Sequence, residues 1–125
     1  MHENDIAKII VDCAFKIHTA LGPGLLESVY AAALAHELRK RGLKVVAEQA
    51  IPVIYEEVKL DVGFRADLIV ENRVVVEVKS TEAIAPVHSK VLLTYLRLAN
   101  KRLGLLINFN VNLIKDGIKR VVDNL

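Results

Sequence analysis

The sequence predicts an α/β fold, a mixed central β-sheet flanked by helices in a sandwich. Three observations carry this. Residues 4–20, 25–41 and 87–100 each set apolar side chains at the spacing of an amphipathic helix. The segments Arg65-Ala66-Asp67-Leu68-Ile69-Val70, Val74-Val75-Val76-Glu77-Val78-Lys79 and 103–109 are short, apolar and rich in branched residues, as strands are. These stretches follow one another as helix, helix, three strands, helix, strand and a β tail, an order that packs helices onto a sheet.

In the first helix, Ile6, Ile9, Ile10, Cys13, Ala14, Ile17 and Leu21 form the apolar stripe; Asn4 or Asp5 can cap it and Gly22-Pro23-Gly24 ends it. Cys13 lies on that stripe and reads as a small core residue. His18 sits beside it, as a partly buried surface histidine. The second helix carries Leu26, Val29, Tyr30, Ala33, Leu34 and Leu38, and stops at Gly42. Glu27 is anomalous there: at ~100° per residue it projects near Leu34 and Leu38, with Tyr30 close by. Two readings stand side by side, an acid complementing the helix dipole and a carboxylate aimed towards a site.

Residues 44–62 read as strand and turn, with Pro52 marking an edge or bulge and Glu56-Glu57 a solvated turn. Residues 80–86 form a loop. In the third helix His88, Val91, Leu92, Tyr95 and Leu98 or Ala99 share one side. Residues 103–109 read as a buried strand. Asp116-Gly117, between 111–114 and 118–122, signals a hairpin, with a short helix as the alternative.

The chemistry concentrates on Val74–Lys79. Side chains alternate along a strand, so Glu77 and Lys79 share one face and Val76 and Val78 the other. A three-residue loop at Glu71-Asn72-Arg73 pairs Val70 with Val74 and sets Asp67 opposite Glu77; a two-residue loop puts Asp67 on the wrong face. Like charges placed opposite destabilise a sheet. A cation between them reverses that sign, and two acidic oxygens with water suit Mg²⁺. The competing reading is a Glu77–Lys79 ion pair on an exposed sheet.

The 125 residues make one domain, 1–125, and 53% hydrophobic content is enough for a core. A net charge of +2 permits an anionic partner without demanding one. The single cysteine excludes an internal disulfide and a zinc-finger pattern. There is no apolar run of about 18–20 residues, and the start MHENDIAK lacks a signal peptide's basic region. The expected compartment is therefore cytoplasmic, with no membrane partner. GxSxG, P-loop, GxGxxG and HExxH patterns are absent.

Together these residues resemble the GxxExxY family, a branch of the PD-(D/E)XK nuclease superfamily. Gly24-Leu25-Leu26-Glu27-Ser28-Val29-Tyr30 matches the naming motif. Asp67 in Arg65-Ala66-Asp67-Leu68-Ile69-Val70 and Glu77-x-Lys79 match the superfamily's Asp and Glu-x-Lys. The segments around His88, Thr94-Tyr95-Leu96 and Gly104-Leu105-Leu106-Ile107-Asn108-Phe109, and the closing Gly117-Ile118-Lys119-Arg120-Val121-Val122, are similar too. The resemblance implies a restriction-endonuclease-like core in which Glu27, Asp67 and Glu77 gather around Mg²⁺ or Mn²⁺, with the Val78 carbonyl completing the coordination and Lys79 as catalytic lysine. Tyr95 corresponds to the tyrosine of a QxxxY helix motif, whose glutamine position is Val91 here. Tyr30 would support Glu27. The implied activity is metal-dependent phosphodiester hydrolysis, in DNA rather than RNA, by a chain that can form a homodimer. The alternative is a non-catalytic nucleic-acid-binding or accessory module on the same fold.

Overall fold

The computed structural model describes residues 1–125, with the side chains of Asp61 and Val62 outside the description. Two helices, α1 (Glu3–Leu21) and α2 (Glu27–Lys40), precede three antiparallel strands, β1 (Val45–Tyr55), β2 (Val58–Val70) and β3 (Val74–Lys79). Helix α3 (Pro86–Ala99) then crosses over to β4 (Leu103–Asn108), and β5 (Ile118–Val122) closes the chain. The sheet has the order β1-β2-β3-β4-β5. β3 and β4 run parallel and every other neighbouring pair antiparallel, so the sheet is mixed.

Alternation along the strands builds two cores. Val74, Val76, Val78, Leu103, Leu105 and Ile107 face one way and pack with Ile6, Ile10, Leu34 and Leu38 of α1 and α2. Val75 and Leu106 face the other way and pack with Leu92 and Leu96 of α3, joined by Ile51 of β1. β4 is buried along its whole length because both its faces are covered.

Helix boundaries follow local chemistry. α1 is capped by His2, whose Nδ1 accepts from the Asn4 amide at 3.0 Å, not by Asn4 or Asp5. α2 begins two residues later than its apolar pattern suggests. Leu25 is outside it, its N–H donating to the Tyr30 hydroxyl at 3.1 Å, and Leu26 is the extended cap residue. Glu27 is thus the first helical residue, at the positive end of the helix dipole. α3 ends at Asn100, which takes the left-handed conformation of a helix C-cap.

Pro52 does mark a bulge, since the β1–β2 register shifts between Ile51 and Val53. The tail differs from a hairpin about Asp116-Gly117. Ile114–Gly117 is a 3-10 turn, and β5 pairs with β4 instead of with residues 111–114. Ile114 is drawn into the core, and Gly117 lies so close to the chain that a Cβ there would stand 2.1 Å from the Asn108 carbonyl oxygen. Cys13 is fully buried, and burial raises its thiol pKa, as a core cysteine requires.

Candidate functional site

The hairpin turn between β2 and β3 sets the register. Val70 pairs with Val74, Ile69 with Val75 and Leu68 with Val76, so the loop is the three-residue one. Ladder pairing stops at Leu68. There the Asp67 Oδ2 accepts a hydrogen bond from the Val78 amide at 2.8 Å. β3 keeps its parallel partner across the same stretch, Glu77 with Leu106, Val78 with Ile107 and Lys79 with Asn108. The sheet therefore forks, with β3 held on one side and open on the other.

β1 is disturbed at the same level. Ala47 pairs with Leu68 and Gln49 with Ala66, while Glu48, between them, has φ 52°. A non-glycine residue in the left-handed region inside a strand is strained. The kink brings Glu48 into a cavity of about 520 Å³ between α2 and the β1–β2 pair, where Asp67, Glu27 and Arg39 also lie.

Glu77 lies on the other side of the fork. Val75 and Leu106 belong to the core under α3, and alternation places Glu77 and Lys79 on that same face. Both line a cavity of about 50 Å³ with His88, Val91, Leu92 and Tyr95. Glu77 is only 8% exposed, and its Oε1 has no hydrogen-bond partner among the described residues. Its carboxyl pKa is pushed up to about 8, first by burial and next by the Asp67 charge; Lys79 acts in the opposite direction but less. Tyr95 stacks on Phe64 with ring centroids 3.4 Å apart. Burial, then the Glu77 and Asp67 charges, raise the pKa of its hydroxyl.

Asp67 is therefore the middle acid: it acts on Glu77 through its charge and shares a cavity with Glu27. Glu27 and Glu77 line different cavities. Among the described residues, no three His, Cys, Asp or Glu side chains stand close enough to enclose a metal ion. Asp67 and Glu77 nevertheless suit a hard divalent cation. Both are carboxylates, one carries an unpartnered buried oxygen, and Mg²⁺ is commonly held by one or two carboxylates with water or substrate oxygens supplying the rest.

The surrounding loops are fixed by polar groups. Tyr30 is fully buried and stacks on Phe109 at 4.5 Å. Its hydroxyl donates to the Gly22 carbonyl at 2.5 Å and accepts from the Leu25 amide, so it holds the turn that delivers Glu27. Ser80, next to Lys79, donates its hydroxyl to the Leu25 carbonyl at 2.6 Å and ties the end of β3 to that turn. Buried Asn108 accepts from the Thr81 and Asn110 amides and donates to the Thr81 carbonyl, ordering the loop that leaves β3. Val78 contributes its N–H to Asp67, while its side chain lies in the core.

Glu48 and Arg39 carry no motif that singles them out. Asn108 had one usable signal, a polar residue ending an otherwise apolar strand. Glu48 had none, because its backbone conformation is set by the neighbouring strand.

A family model described as the PD-(D/E)XK nuclease superfamily matches residues 4–121. No curated protein and no solved structure matches the chain. Among the described residues, no helix is long and apolar enough to cross a membrane.

Proposed function

The chain belongs to the PD-(D/E)XK nuclease superfamily, and on that premise we propose that it is a Mg²⁺- or Mn²⁺-dependent nuclease hydrolysing phosphodiester bonds in DNA. The observation that carries the proposal is Glu77. A buried carboxylate with an unpartnered oxygen, beside a second carboxylate, is costly in an empty protein interior and favourable beside a cation.

In this reading Asp67 and Glu77 would hold the cation, the Val78 carbonyl would complete its protein ligands, and Glu27 would serve from α2 as a further ligand or through water. When bound, a divalent cation supplies Lewis acidity and neutralises phosphate charge. Lys79, on the same face as Glu77, places its ammonium beside the phosphoryl oxygens, stabilises the charge that develops there and orients the attacking water. Asp67 keeps the fork open by holding the Val78 amide. Tyr95 borders the substrate side, and Tyr30 supports Glu27 through the turn at Gly22.

The turn and helix start from Gly24 to Tyr30 support placing the chain in the GxxExxY branch. Residues 1–125 act as one domain in the cytoplasm, on DNA in preference to RNA, and a homodimer would present two such sites to one duplex. The test is cleavage of labelled single- and double-stranded DNA and RNA with Mn²⁺, wild type against Lys79→Ala. The proposal requires metal-dependent cleavage that Lys79→Ala abolishes.

A second reading has support of its own. Val91 places an aliphatic side chain where α3 faces Glu77 and Lys79, and Glu27 and Glu77 line separate cavities. Both fit a module that binds nucleic acid without cutting it. DNA binding with no hydrolysis under any metal would favour this reading.

A further inference from the structure

The small cavity at Glu77 and Lys79 has a polar group to which the reaction scheme above gives no role. From α3 it receives His88, Val91, Leu92 and Tyr95, positions i, i+3, i+4 and i+7 of one helix face. His88 sits in the first turn, after Pro86 at the helix start. Its amide donates to the Ala85 carbonyl at 3.0 Å, and its ring Nδ1 accepts from the Ala85 amide at 3.1 Å. A backbone N–H can only donate, so Nδ1 is the acceptor and the ring proton is on Nε2. Nε2 has no protein partner among the described residues, while the ring lines the cavity that holds Glu77 and Lys79.

We infer that His88 is a substrate-contacting residue whose Nε2–H donates to a non-bridging oxygen of the phosphodiester at the Lys79 side of the site. This rests on the nucleic-acid reading proposed above. Three donors, the Lys79 ammonium, the His88 Nε2–H and the Tyr95 hydroxyl, border one cavity. A phosphodiester oxygen only accepts, so it complements all three. Val91, one turn further along the same face, offers no polar group, and His88 supplies the polar contact from α3 that Val91 lacks. The Ala85 bond holds the ring orientation before substrate arrives, so little side-chain freedom is lost on binding.

The experiment separates cap from contact with two variants. His88→Asn keeps an acceptor near the Nδ1 position for Ala85 and loses the Nε2 donor. His88→Gln loses the cap and keeps a donor near the Nε2 position. Binding of a fluorescein-labelled DNA oligonucleotide in Ca²⁺ is read by anisotropy, beside thermal melts of each protein. The expected result is that His88→Asn melts like wild type yet binds about 3- to 10-fold more weakly, the worth of one hydrogen bond. His88→Gln melts lower but recovers affinity. Equal affinity of His88→Asn and wild type, failure of His88→Gln to recover it, or no binding by wild type overturns the inference. Binding that depends on His88, in a wild-type protein that cleaves nothing, upholds this contact and removes the hydrolytic reading alone.

Discussion

Asp67 accepts a hydrogen bond from the amide of Val78 at 2.8 Å, taking with its side chain a ladder position that a backbone carbonyl would ordinarily fill. That one bond ends the β2–β3 pairing, opens the fork and sets a carboxylate next to the buried Glu77.

Asp67→Asn keeps an oxygen for the Val78 amide and removes the charge. In EDTA above pH 8, where Glu77 is ionised, its melting temperature should equal or exceed that of wild type, because the repulsion with Glu77 is gone. Mn²⁺ should raise the wild-type melting temperature and leave Asp67→Asn unmoved, since only a ligand that binds the folded state stabilises it. Differential scanning fluorimetry with and without Mn²⁺ reads both effects. Equal Mn²⁺ shifts in the two proteins would contradict the metal assignment.

Glu77 makes the metal-free protein sensitive to pH. Its ordinary value is 4.5 and its folded value is about 8. Between these the folded chain holds a proton that the unfolded chain has released, so stability is complete below about pH 4.5 and is lost as pH rises through 8. Urea unfolding in EDTA at a series of pH values should show this fall in wild type. Glu77→Gln should lack it, and the difference between the two proteins should change by on the order of a few kcal/mol across the window. Parallel profiles for the two would refute the burial argument.

Tyr30→Phe keeps the stack on Phe109 and deletes the hydroxyl that bonds Gly22 and Leu25. It leaves a part-buried carbonyl and amide to find other partners. A loss of about 1–3 kcal/mol is expected in urea unfolding. Unchanged stability would show that the turn before Glu27 is held by other means.

Gly117→Ala tests the close approach of the final turn to β4. Its Cβ would meet the Asn108 carbonyl oxygen at 2.1 Å, and backbone cannot yield as a flexible side chain does. A destabilisation of about 1–3 kcal/mol or more is expected by thermal melt. Wild-type stability would mean that β5 is free to shift.

The sequence made legible those parts of the site that depend on period and on turn length. The apolar alternation of Val74–Lys79 put Glu77 and Lys79 on one face, and the loop Glu71-Asn72-Arg73 set Val70 against Val74. What escaped depends on contacts between segments distant in the chain. The left-handed Glu48 is imposed where β1 passes Asp67, and no local propensity announces it. The clamp from Tyr30 to Gly22 joins residues whose relation is set only when the turn has folded, so Tyr30 read simply as helix packing around Glu27. The tail misled for a related reason: Asp116-Gly117 is a good hairpin turn in isolation, but burial of Ile114 and pairing with β4 outweigh it. The two cavities, one lined by Asp67 and the other by Glu77, were likewise invisible, since they form only when distant segments pack together.

The proposed roles of Asp67 and Glu77 as holders of a divalent cation, and of Lys79 in phosphodiester hydrolysis, stand or fall together. Single-turnover cleavage of end-labelled DNA, with Mn²⁺ and with EDTA, is the decisive measurement. Wild type should cleave in Mn²⁺ and not in EDTA, and Lys79→Ala should lose at least about 10²-fold. Cleavage by Lys79→Ala at the wild-type rate, or no cleavage by wild type on any single- or double-stranded substrate, would contradict these roles.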